Sequence, residues 1–179
     1  MSLLVFLDII LFIITVVLLS FAITQFFNVL VRGLPPFLPT QDKIILRAGE
    51  NLQLNSQDVV YELGCGRAKF LRSLVKKFPE AEYVGIEYSF LPYLLSRFQL
   101  LFTPGHIKII KHNFFTIDLR RATLLYFYLL PETMERLSAK IKQECRPGTK
   151  VISYQFSLPD LVLDKIVIDQ NRRLYFYRT

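Results

Sequence analysis

The residues with most chemical promise stand together at Glu62-Leu63-Gly64-Cys65-Gly66-Arg67-Ala68. Two glycines separated by one residue permit a tight turn and let a ligand approach the backbone closely. Glu62, two places before the first glycine, would repel a pyrophosphate but attract the ammonium of an amino-acid-like ligand. Glu87 follows Gly66 by 21 residues. An acid at about that distance, at the end of the next strand, is placed to accept both hydroxyls of a ribose. Asn113 and Phe114 offer an amide acceptor for an adenine amino group and a ring to pack on the base. One carboxylate for an ammonium, another for a ribose, and no phosphate-binding lysine point to S-adenosylmethionine rather than NAD or ATP. Farther along, Tyr126-Phe127-Tyr128-Leu129-Leu130-Pro131-Glu132 brings an aromatic hydroxyl and a carboxylate to a strand end. Tyr128, Glu132 or plain solvent could take a proton from a nucleophile there. Cys65 has no histidine base beside it in sequence and reads as a small residue of the glycine turn, not a nucleophile. Plainer readings stand beside these: a bare tight turn for the glycines, loop capping for Asn113, core packing for Tyr126 and Tyr128.

Such groups need strands whose C-terminal ends converge. Apolar runs predict strands over Asp58–Leu63, Tyr83–Tyr88, Ile107–His112, Ala122–Leu130 and Thr149–Phe156. Between them, helices are predicted over Ala68–Phe78, Pro92–Phe102 and from Pro131 to about Glu144, with Pro131 in the first turn. Lys165–Asp169 and Arg173–Arg178 read as a closing hairpin across Gln170–Arg172. Alternating strands and helices with near-continuous apolar strands imply an α/β fold, a Rossmann-like parallel sheet covered on both faces. The terminal hairpin makes it a seven-stranded, mostly parallel sheet with one antiparallel edge strand. Asp58 to Thr179 barely accommodates seven strands, so no insertion remains to cap the cleft.

The chain of 179 residues is 52% hydrophobic and carries a net charge of +7, with a mean hydropathy of +0.34. The excess lies at the start, where Asp8, Gln25 and Asn28 are the strongly polar residues between Leu3 and Val31. About 20 such residues in a helix span a hydrocarbon core of roughly 30 Å. A cleaved signal peptide is the rival, since Ser20-Phe21-Ala22 resembles a small-x-small site, but no Lys or Arg precedes the apolar run. Arg32, Lys43 and Arg47 follow the run closely. The positive-inside rule then predicts a single-pass membrane protein with its N-terminus outside and its catalytic domain on the cytoplasmic side. The expected division is an anchor over 1–32, a proline-rich linker and leading helix over 33–57, and a catalytic domain over 58–179. Thr40 is expected to cap the leading helix, which would run to about Leu54. The basic domain is expected to face a lipid bilayer rather than nucleic acid, for no dense Lys/Arg cluster is present. Cys65, Cys145, His106 and His112 have no disulfide or metal-site spacing, so no metal is expected.

The chain resembles class I, seven-stranded S-adenosylmethionine-dependent methyltransferases. More narrowly, it resembles the membrane-anchored protein-lysine methyltransferases that modify the ATP synthase c subunit and the adenine nucleotide translocase, and their short prokaryotic relatives. The resemblance covers the chain in order, from the N-terminal apolar helix and Pro36-Phe37-Leu38-Pro39-Thr40 onwards. It continues through Glu62-x-Gly64-x-Gly66, Gly85-Ile86-Glu87-Tyr88 and Pro92–Arg97. It closes with Tyr128-Leu129-Leu130-Pro131, Met134-x-x-Leu137 and Gly148-x-x-Val151-Ile152-Ser153-x-x-Phe156. It implies that Glu62, Gly64, Cys65, Gly66, Glu87, Tyr88, Asn113 and Phe114 hold S-adenosylmethionine. It also implies a methyl acceptor that is a lysine of a membrane protein. Ala68 stands where the family has a third glycine, and Asn113 where it has an acid. Alternatives are a lipid amine or small amphiphile as acceptor, or a membrane-bound scaffold without turnover.

Overall fold

The computed structural model describes residues 3–32 and 40–179, which fall into two compact units. The first is helix α1, Leu3–Arg32. Its segment Leu4–Thr24 is long and apolar enough to cross a bilayer, and none of it is buried within the protein. Thr15 and Thr24 donate back to the carbonyls of Leu11 and Ser20 at 2.8 Å, so neither hydroxyl needs an outside partner. The predicted linker from Gly33 to Pro39 lies outside the described residues.

The second unit is built on strands β1 (Val59–Leu63), β2 (Glu82–Glu87), β3 (Ile107–Lys111), β4 (Leu124–Phe127), β5 (Lys150–Tyr154), β6 (Leu163–Asp169) and β7 (Arg172–Arg178). They form one sheet in the order β3-β2-β1-β4-β5-β7-β6. The five strands from β3 to β5 are parallel. The antiparallel hairpin completes the other edge, with β7 between β5 and β6. Strand order reverses between β1 and β4, and open α/β sheets bind ligands outside the strand ends at such a switch point.

Helices α2 (Asp42–Glu50), α3 (Lys69–Lys77), α4 (Phe90–Leu100) and α5 (Met134–Glu144) complete the unit. Two apolar cores result. Ile44, Ala48, Phe70, Leu74 and Tyr126 anchor one, while Leu63, Phe127, Leu137 and Ile141 anchor the other. The leading helix α2 therefore packs into the same core as α3.

Several boundaries differ from expectation for local reasons. Helix α4 begins at Phe90, before Pro92, because a proline in the first turn lacks only an N–H that has no helical partner anyway. Strand β4 stops at Phe127, and Leu130 is extended at φ −69°, ψ 151°, as the residue before a proline prefers. Pro131–Thr133 then forms a 3₁₀ turn leading into α5. Helix α2 ends at Glu50 and is preceded by Gln41 as its cap. Thr40 does not cap it; the buried Thr40 hydroxyl instead meets the Tyr126 hydroxyl at 3.1 Å.

Candidate active site

Glu62 lies on the central strand, level with Gly85 on β2 and Tyr126 on β4. It is only 5% exposed, and its Oε2 is buried without a hydrogen-bond partner. Burial holds this carboxyl well above the usual carboxylate range; Glu87 adds to the shift, while a Leu71 backbone hydrogen bond and the Arg72 charge oppose it. The Nε of Arg72, in the first turns of α3, is likewise buried without a partner. Burial lowers the Arg72 pKa, Arg67 adds to this, and Glu62 opposes it. A carboxylate and a guanidinium edge that feel each other's charge thus both lack a full set of partners.

The turn after β1 is left-handed at Gly64 (φ 70°), Gly66 (φ 53°) and Ala68 (φ 53°). The amides of Gly64 and Cys65 both donate to the Ile86 carbonyl, at 2.9 and 3.0 Å, which seats the turn on β2. Glu87, 8% exposed, fastens it. Its Oε2 accepts from the Gly66 amide at 2.8 Å and its Oε1 from the Ser89 amide at 2.7 Å. Each carboxylate oxygen retains a second acceptor site beyond those bonds. The Cys65 side chain points down against Gly85, where an added Cβ would come within 2.8 Å of its Sγ. Burial, then Glu62 and Glu87, push its thiol well above the ordinary range, so it is no nucleophile at neutral pH.

Gly64, Cys65, Gly66 and Glu87 are therefore joined in one hydrogen-bonded unit, which follows Glu62 on β1. The exposed Tyr88 follows Glu87 directly, and the Glu87 carbonyl accepts from the His112 amide at 3.0 Å, joining the end of β3. Asn113 lies just beyond, its Oδ1 accepting from the Phe115 amide at 3.0 Å to cap a 3₁₀ turn over Phe114–Thr116. The half-buried Phe114 packs on Phe115, with ring centroids 4.5 Å apart.

The two tyrosines within and just beyond β4 separate in role. Tyr126 is core, stacked on Phe70 at 3.6 Å. Tyr128, half-buried beyond the end of β4, packs against Tyr154 with centroids 4.4 Å apart. Glu132 is exposed on the 3₁₀ turn. Asp118 is exposed and paired with Arg120 at 2.9 Å. Arg72 and Tyr154 are additions that sequence reasoning missed. Strand register was the available signal for Tyr154, since Phe127 lies level with Ser153 and Tyr128 therefore faces Tyr154.

Comparison with known proteins agrees with this geometry. Residues 62–165 match the family described as the ANTKMT methyltransferase domain. A protein-lysine N-methyltransferase of Saccharolobus islandicus is 30% identical over 148 residues, covering 79% of this chain and 92% of the relative. Among solved structures, an RNA methyltransferase from Salinibacter ruber in complex with S-adenosyl-L-homocysteine superposes with a TM-score of 0.74 at 24% identity. That match covers 79% of this chain and 93% of the other. A precorrin-6y C5,15-methyltransferase from Geobacter metallireducens reaches a TM-score of 0.65 at 11% identity, covering 82% of this chain and 92% of the other. At these identities the two structures establish a shared fold.

Proposed function

The chain belongs to the ANTKMT methyltransferase family, and from that premise we propose that it methylates lysine side chains of a membrane protein, with S-adenosylmethionine as donor. The buried, unpartnered Oε2 of Glu62 carries the reading. A carboxyl that burial has driven toward its neutral form regains its charge when a cation comes to it, and the donor's ammonium is such a cation. The residues fit the rest of the donor as well. The Arg72 edge suits its carboxylate, the remaining acceptor sites of Glu87 suit a ribose, and Asn113 with Phe114 suit the adenine. Gly64, Cys65 and Gly66 provide the backbone beside it, and Tyr88 the exposed rim.

When bound, S-adenosylmethionine supplies an electrophilic methyl group on a sulfonium, already a good leaving group. The chain's task is then mainly positioning for in-line attack. A lysine ammonium, with a reference pKa of about 10.4, must also lose a proton before it attacks. The Glu132 carboxylate, Tyr128 as its phenolate, or plain solvent is proposed to receive that proton. The Saccharolobus relative supports lysine as acceptor. The apolar span Leu4–Thr24 supports a membrane location. Lys43 and Arg47 behind it support a cytoplasmic domain with the N-terminus outside. Relatives of this fold act on RNA and on a precorrin, so the fold by itself leaves the acceptor open.

The test is incubation of the full-length protein with methyl-labelled S-adenosylmethionine and membranes from cells lacking its gene. Glu87→Ala runs in parallel. Label in a discrete protein band, reduced at least about 100-fold in Glu87→Ala by loss of a pair of charge-assisted hydrogen bonds, is expected. Label confined to the lipid extract would overturn the acceptor and retain the enzyme class.

A further inference from the structure

We propose that the outward face of α4 is a second membrane contact, a peripheral docking surface for anionic lipid. Ser96 is the one residue of α4 that is fully buried. Tyr93 and Leu100 pack inward against the core. The opposite side is also apolar: Phe90, Leu91, Leu94, Phe98, Leu101 and Phe102 are all exposed, with Phe98 at 61% and the last two at 76%. Phe90, Leu94, Phe98 and Leu101 recur at helical spacing, so they form one stripe. Phe98 and Phe102 meet edge-on with centroids 5.5 Å apart, which makes that stripe continuous beyond the helix end. A helix that is apolar on both sides belongs in a non-aqueous setting on both. A patch of this kind on a protein surface marks an interaction site.

Charge selects the partner. From Tyr88 to Ile117 the chain contains no Asp or Glu, while Arg97, Lys108 and Lys111 supply positive charge. Arg97, Lys108 and Lys111 are exposed, and the Lys111 ammonium lies 5.2 Å from the Phe90 ring centroid. An apolar stripe with Arg97 on the same helix and Lys111 beside Phe90, in a stretch of chain without acids, suits acyl chains beneath anionic headgroups. A second copy suits it poorly, because a two-fold contact would bring the same cations face to face. The chain's own apolar span, Leu4–Thr24, already calls for a bilayer. Phe90 lies three residues after Glu87, at the C-terminal end of the strands where the candidate site opens. Docking through α4 therefore holds the rim of that site at headgroup level, where a lysine beside a membrane span would lie. This consequence for the acceptor rests on the methyltransferase reading; the docking itself does not.

The protein contains no tryptophan, so Phe98→Trp and Leu101→Trp each create a unique fluorescent reporter. The full-length variants are reconstituted in vesicles of phosphatidylcholine and phosphatidylglycerol, with or without bromine on the acyl chains. Val162→Trp, at the 80% exposed position before the opposite edge strand, is the comparison. Blue-shifted emission quenched several-fold more by bromine at the α4 positions than at Val162 is expected. Phosphatidylcholine alone, or high salt, should diminish that quenching. Solvent-like emission at both α4 positions overturns the proposal. Blue-shifted emission that bromine does not quench also overturns it, in favour of a protein partner. Because no methyl transfer is read, these results stand apart from the labelling experiment.

Discussion

Glu62 combines two demands that conflict in the unliganded protein. Its position at the end of the central strand suits a cation, yet burial there disfavours its own charge. The folded pKa lies above the unfolded one, so between those values the folded state holds more protons. Stability contributed by this group is then complete below the unfolded pKa and is lost as pH rises through the folded pKa. Glu62→Gln removes the titration while keeping the shape. Thermal melts should show a variant more stable than the wild type at neutral pH and less sensitive to pH above about 5. Calorimetry on the same protein should show donor binding lost. A variant as pH-sensitive as the wild type would remove Glu62 as the source. Glu62 and Glu87 were legible in sequence because both close a strand next to a glycine or turn, a purely local pattern. Arg72 was not, because its significance depends on a helix folding back over a strand end.

At the scale of elements, the seat of the β1 turn on β2 depends on a missing side chain. Gly85 is ordinary strand backbone, yet an added Cβ would lie 2.7 Å from Ile109 Cδ1, 2.8 Å from Cys65 Sγ and 3.1 Å from Cys65 Cβ. The glycine makes room for the thiol, and the thiol fills the space under the turn. Gly85→Ala should cost about 1–3 kcal/mol by overpacking, measured by urea unfolding in detergent micelles. Adding Cys65→Ala should recover part of that loss, a coupling that only touching residues show. Strictly additive effects would mean that the turn adjusts elsewhere. Strand–helix alternation made the order of these elements readable, and even the seven-stranded sheet with its antiparallel hairpin followed from it. The ends of α4 and β4 were not readable to the residue, because Pro92 and Pro131 punctuate both helices and extended chain. Thr40 was misread for a different reason. Its partner Tyr126 lies 86 residues away, and no local rule could choose that hydroxyl over the helix cap.

Across the whole molecule, the candidate site and the apolar span fall to different segments. The core residues that seat the candidate site all belong to residues 40–179, which form their own compact unit. The hydrogen bonds that seat the β1 turn and fasten Glu87 are made within residues 64–89. The apolar span's contribution under the proposed function is effective concentration, because an enzyme and acceptor sharing one bilayer meet far more often than the same pair in solution. Deleting residues 1–24 should therefore leave donor affinity unchanged within about twofold while lowering the rate on the acceptor in intact membranes by roughly 100-fold. Solubilising the membranes in detergent should erase most of the difference, since neither enzyme is then held beside its acceptor. Docking through α4 would make the loss in membranes smaller, and Phe98→Asp in the truncated protein should restore it in full. Equal loss in membranes and in detergent would instead assign the span a part in folding the site.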